Sequence, residues 1–175
     1  MTKVKKKLAE FLTVALVAFL SLGILSGCSG GKNDGKVLTI AFPSTITTLD
    51  ITDGDAATML KEVGGVVETL VNVDSNFNLT PSLAVSWERV SETAWVFNLR
   101  EGVTFHDGSD FNADAVKWCF DRQIAEDKSF SSYTKITSVD VLDTYKVQLN
   151  TSTPTGEVPE ALTNVAACIL SLIHI

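Results

Sequence analysis

The chain has 175 residues, a formal net charge of −7 and 45% hydrophobic residues. That length bounds it to one domain or two small ones. An acidic chain without a basic patch argues against nucleic acid or anionic lipid as its ligand.

The amino end reads as a processing signal. Lys3, Lys5, Lys6 and Lys7 precede an uncharged apolar run from Phe11 to Gly27, the n-region and h-region of a secretory leader. The run is shorter than the roughly 20 residues of a comfortable membrane span. Leu25-Ser26-Gly27-Cys28 resembles a bacterial lipobox, which would remove residues 1–27 and join Cys28 to diacylglycerol. The competing reading is an uncleaved anchor helix with an incidental cysteine. Two or more acyl chains, at about 0.8 kcal/mol per buried methylene, hold a protein on a membrane. Residues 28–36 are then the lipidated cysteine and a flexible tether, rich in glycine. The leader carries four lysines and Glu10, a net +3, so the rest of the chain carries −10. Lipidation leaves Cys119 and Cys168 in an oxidising compartment. A disulfide between them stays open, and Cys119 reads as a small apolar helix residue.

Val37–Phe42 (VLTIAF) is apolar on both faces, as in a strand buried between layers. Pro43 ends it, and Ser44, Thr45, Ile46 and Thr47 open a hydroxyl-rich loop that runs through Thr48 to Asp50. Such a loop can offer backbone and hydroxyl groups to a ligand; the alternative is a plain polar connection. Met59, Leu60, Val63, Val66, Val67 and Leu70 predict an amphipathic helix capped by Asp53 or Asp55. Gly64-Gly65 inside it marks a close approach or a break. Asp74-Ser75-Asn76 is a turn. Pro81–Val85 suggests a short helical turn and Ser86–Val90 a strand, which Ser91-Glu92-Thr93 reverses into a hairpin.

From Trp95 to Arg122 the period changes. Trp95, Phe97 and Leu99 alternate with Val96, Asn98 and Arg100, the mark of a half-buried strand. Glu101-Gly102 makes a corner, Val103 and Phe105 resume the alternation, and His106-Asp107-Gly108 turns. Asn112 then caps a helix with Asp114 in its first turn, and Val116, Phe120 and Ile124 recur at helical spacing. A second hairpin pairs Ile136–Leu142 with Tyr145–Asn150 around Asp143-Thr144. Pro159 suits the first turn of a last helix carrying Leu162, Val165 and Ala166.

Chemistry of a reactive site is sparse. The two histidines, His106 and His174, have no metal-ligand spacing to each other or to the cysteines, so no metal site or other cofactor is expected. His106 is expected to hydrogen-bond local backbone. His106, Asp107 and Ser109 lie in one turn and point apart, unlike a triad assembled from separate segments. No phosphate-cradling glycine loop occurs. Trp87, Trp95 and Trp118 read as core rather than pocket. Glu68 and Arg100 are expected to form a half-buried ion pair. No residue is singled out as catalytic.

Several segments resemble one family in the right order: "VLTIAF" with "TTLD", "VVETLVNVDSNFNLTPSLAVSW", "LREGVTFHDGSDFNADAVKWCFDR" and "ITSVDVLDTYKVQL". They are similar to the family 5 extracytoplasmic solute-binding proteins, the oligopeptide, dipeptide and nickel receptors of ABC importers. Coverage runs from Val37 to about Ile169. Asp50-Ile51 departs from the pattern, which has proline after the aspartate. The resemblance implies an α/β, type II periplasmic-binding-protein-like fold, incomplete, with an α+β character in a small inserted domain. Residues 37–54 would be the first strand and loop of a main lobe, 55–169 the small domain. Residues 170–175 (LSLIHI) match the translation of a transposase mosaic-end sequencing adapter, so the natural sequence is expected to diverge near Ile169. The implied function is capture of an oligopeptide or dipeptide outside the membrane and delivery to the permease. Of the ligand contacts, only Ser44, Thr45, Ile46 and Thr47 would lie in this chain. A fragment without the second lobe is expected to bind no peptide tightly. A nickel-chelate or other small-solute receptor is the alternative within the family. The partners implied are the solute, the ABC permease and the membrane through Cys28, with no nucleic acid and a monomeric state. The location is the outer face of the cell membrane or the periplasmic side of an envelope membrane. A lipid-anchored enzyme or a structural lipoprotein is the reading from another class.

Overall fold

The computed structural model describes Thr39, Ala41 and residues 48–52, 54–126 and 128–170. The chain divides into units Met1–Pro43 and Ser44–Ile175. In the first, only Thr39 and Ala41 are described, both exposed and outside any strand. The rest of the expected strand Val37–Phe42 lies outside the described residues, as do the leader, Cys28 and residues 171–175.

The second unit begins with α1 (Gly54–Thr58), which widens into a π turn over Met59–Val63. The predicted helix to Leu70 stops here. Gly64 N–H closes on Met59 C=O and Gly65 takes φ +57°, a left-handed ending that glycine adopts without strain. Val67 onward is extended instead. Strand β1 (Glu68–Thr69) pairs with β8 (Cys168–Ile169), and β2 (Val71–Val73) pairs with β3 (Leu79–Pro81). Asp74 folds the turn between β2 and β3: its carboxylate accepts the N–H groups of Asn76 and Asn78 and the Asn78 side chain.

The centre of the unit is an antiparallel sheet of four strands in the order β4 (Ala84–Ser91), β5 (Ala94–Leu99), β7 (Lys146–Thr151), β6 (Ile136–Asp143). Pro81–Val85 is therefore strand, bend and strand, not a helical turn. Both expected hairpins form, and β5 pairs β7 to join them. Trp87, Phe97 and Val147 align across three strands, and Trp87 stacks on Phe97 with ring centroids 6.3 Å apart. The opposite face carries Ser86, Asn98, Gln148, Asn150 and Asp140, joined by side-chain hydrogen bonds. The outer strands show the alternation of an antiparallel sheet packed on one side, while Val96 of the central β5 is buried on this polar face too.

Helix α2 (Ala113–Glu126) covers the apolar face. The Ala115 N–H donates to Asn112 Oδ1 at 3.0 Å, so Asn112 is the expected cap. Val116, Cys119 and Phe120 are buried. Helix α3 (Lys128–Thr134), which the periodicity does not single out, adds Phe130 against Phe120 at 5.3 Å. The last predicted helix is reduced to α4 (Val158–Ala161), with proline in its first turn, followed by a 3-10 turn at Val165–Ala167. Leu162 caps the end of α4, and Asn164 caps the 3-10 turn by accepting from Ala166 N–H.

Candidate functional site

The expected ligand residues Ser44, Thr45, Ile46 and Thr47 lie outside the described residues. The structure does describe the segment that follows them. Asp50 is its hub. The Asp50 N–H donates to Thr48 Oγ1 at 3.1 Å, and Thr52 donates its N–H and its hydroxyl to Asp50 Oδ1 at 3.0 and 2.9 Å. Arg122, near the end of α2, donates Nη1 to Asp50 Oδ1 at 3.0 Å and Nη2 to Asp50 Oδ2 at 2.6 Å. Two parallel charge-assisted bonds fix the relative plane of the groups as well as their distance. Glu126, one turn on, also takes Arg122 Nη2 at 2.9 Å. The hydrogen-bonded Arg122 guanidinium, helped by Thr52, draws the Asp50 carboxyl down to about 2 against the opposing effect of burial.

Ile51 is buried beside this hub, in a small apolar cluster with Ala57, Leu60, Val67 and Cys168. Leu49 stays exposed and walls an apolar cavity of about 230 Å3 with Leu60, Val66, Phe105, Ile169 and Leu170. Pockets for small molecules run to about 300–1,000 Å3, so this cavity is too small for a peptide. A more polar recess of about 470 Å3 shares Val66 and His106 and adds Lys61, Glu62 and Glu68.

Two expectations change. His106 is exposed and lines both recesses; the turn is made by Asp107, whose carboxylate accepts the Ser109 N–H and hydroxyl, and by Phe105 N–H to Ser109 C=O. A two-atom carboxylate one residue later reaches the backbone better than the imidazole. Glu68 and Arg100 are both exposed and form no ion pair, because the break at Gly64-Gly65 turns Glu68 into an edge-strand residue. Among the ion pairs of the described residues, Asp50–Arg122 joins residues 72 positions apart, whereas the others are local in sequence. Both stood in motifs visible in the sequence, "TTLD" and "WCFDR", but no local spacing links them.

All three tryptophans are partly buried and pack against the main core cluster. Trp95 donates Nε1–H to Thr155 C=O at 3.2 Å, and Trp118 packs partly buried on the main cluster. Cys119 and Cys168 are free and buried. Cys119 Sγ contacts the Leu170 backbone, with its N–H at 3.3 Å and its C=O at 3.2 Å. Burial pushes the Cys119 thiol up to about 11 and the Cys168 thiol up to about 12. Among the described residues no group of three or more His, Cys, Asp or Glu side chains is placed to hold a metal ion, and no helix is long and apolar enough to cross a membrane.

Residues 78–173 match the family model described as bacterial extracellular solute-binding proteins, family 5 Middle. The chain is 31% identical over 140 residues to the glutathione-binding protein GsiB of Pectobacterium atrosepticum, covering 78% of this chain and 27% of that one. Against GsiB of Escherichia coli K12 it is 28% identical over 159 residues, covering 87% of this chain and 30% of the relative. The chain thus spans between a quarter and a third of the length of these curated relatives. Among solved structures, the nickel ABC transporter protein from Bacillus halodurans aligns with a TM-score of 0.58 and 33% identity, over 61% of this chain and 22% of that one.

Proposed function

Since the chain belongs to family 5 of the bacterial extracellular solute-binding proteins, we propose that it forms part of the receptor of an ABC importer that captures a short peptide outside the membrane and hands it to the permease. The fold is type II periplasmic-binding-protein-like, covered in part, and the relatives are binding proteins rather than enzymes. One observation carries the reading. The unit from β3 through β8, with its strand–turn–helix and two hairpins, coincides with the matched residues 78–173.

The ligand class rests on the relatives' names: glutathione, a tripeptide, for the curated proteins. A nickel-chelate receptor is the second reading, supported by the 33% identity to the Bacillus halodurans protein. On the proposed layout, residues 37–54 enter a main lobe, residues 55–169 make a small domain, and Ser44–Thr47 reach the solute. Lobes of such receptors close on the ligand by hinge motion. Cys28 is the proposed lipid anchor on the extracytoplasmic face.

Uptake tests the proposal. Deleting the gene should abolish import of a labelled tripeptide, and a plasmid copy should restore it; unchanged import would contradict the peptide reading, and loss of nickel uptake instead would favour the second. Cys28→Ala should release the protein from the membrane fraction. Retention of that variant on the membrane would contradict lipid anchoring.

A further inference from the structure

We infer that Arg122 is a positioning residue for solute capture: through Asp50 it sets the orientation of residues 48–52, the segment directly after the proposed ligand loop. This rests on the receptor reading above. The segment is wrapped around one carboxylate, which takes the Thr52 N–H, the Thr52 hydroxyl and both arms of Arg122. A planar guanidinium fork admits one arrangement of its carboxylate partner, where an ammonium would admit many. Arg122 is itself restrained, because its side chain is only 15% exposed and Glu126 binds it from the next turn. Ile51, between Asp50 and Thr52, is 4% exposed and supplies a second, apolar point of attachment. The fork ties the stretch to α2, and Ile51 ties it to the cluster that includes Leu60 of the π turn and Cys168 of β8.

The consequence is a separation of effects. A partly exposed ion pair contributes little to global stability, whereas a binding segment that must be ordered on capture loses affinity to that ordering cost. Loss of Arg122 should therefore weaken binding far more than folding. Where the family pattern has proline after the aspartate, this chain has Ile51, whose side chain fills the small cluster.

The test uses the full-length receptor carrying this chain, as wild type, Arg122→Gln and Arg122→Lys. In hydrogen exchange, Arg122→Gln should speed the Asp50 and Thr52 amides by about tenfold or more, with β5 and β7 amides unchanged. Arg122→Lys, keeping charge without the fork, should fall between. Exchange equal to wild type in 48–52, or an equal rise in β5 and β7, would overturn the inference. With glutathione as probe, the glutamine variant should bind at least about tenfold more weakly with its melting temperature lowered by no more than a few degrees; undiminished affinity would overturn the positioning role. A wild type that binds no glutathione counts against the peptide reading alone, and the exchange measurement then decides the anchor.

Discussion

Acid should loosen this unit through Asp50, whose paired carboxylate keeps its charge to a lower pH than an ordinary carboxylate does. The Arg122 fork and Thr52 bring the Asp50 carboxyl from 3.8 to about 2. At 1.36 kcal/mol per unit, a shift of almost two units sets an upper bound of about 2.5 kcal/mol. The Asp50 side chain is 35% exposed and Arg122 15%, so solvent screening reduces the pair to about 1 kcal/mol. A depressed carboxylate contributes fully above its unfolded pKa, and the contribution is lost as pH falls through the folded one. The window here runs from about pH 4 down to about pH 2. Urea unfolding of wild type and Asp50→Asn should show a gap of about 1 kcal/mol near neutrality that closes across that window. A gap independent of pH, or one that closes with a midpoint at the ordinary carboxylate value, would refute the assignment of the pair as the source.

Three further outcomes follow from named contacts. Asn112→Ala should cost about 1 kcal/mol by removing the acceptor of the Ala115 N–H, while Asn112→Ser should recover most of it in the same melts. Gln123 is buried on α2 with neither amide atom hydrogen-bonded; Gln123→Met should raise stability by about 1–2 kcal/mol, read from the urea midpoint. With thiols raised to about 11 and about 12 by burial, Cys119 and Cys168 should resist a thiol reagent at mildly alkaline pH in the native protein and react together on unfolding; fast native labelling would show that they are exposed.

The scaffold was legible wherever geometry is local. The alternation of Trp95–Leu99, the cap at Asn112 and the turn at Asp143-Thr144 are set by neighbours in sequence, and strand, helix and hairpin appear in their expected places. The helix end was not legible from its apolar stripe, because Val66 and Val67 keep helical spacing past a pair of glycines that stops the backbone. Pro81–Val85 has the composition of a turn but is drawn extended by partners at Val71 and Leu99. Histidine is rare in this chain, yet at His106 it is the neighbouring Asp107 that makes the turn. The anchor escaped altogether, since the pairing of Asp50 with Arg122 is decided by how α2 lies on the sheet. Family identity and ligand contact also sit apart: the matched residues begin at Asn78, beyond the proposed ligand loop.

Calorimetry of a short peptide against two forms of the protein separates the whole receptor from this part of it. The full-length receptor should bind glutathione or a related short peptide with micromolar affinity, while the piece from Ser29 to Ile169 should give no measurable heat. Micromolar binding by that piece alone, or no peptide binding by the folded full-length protein, would contradict the account.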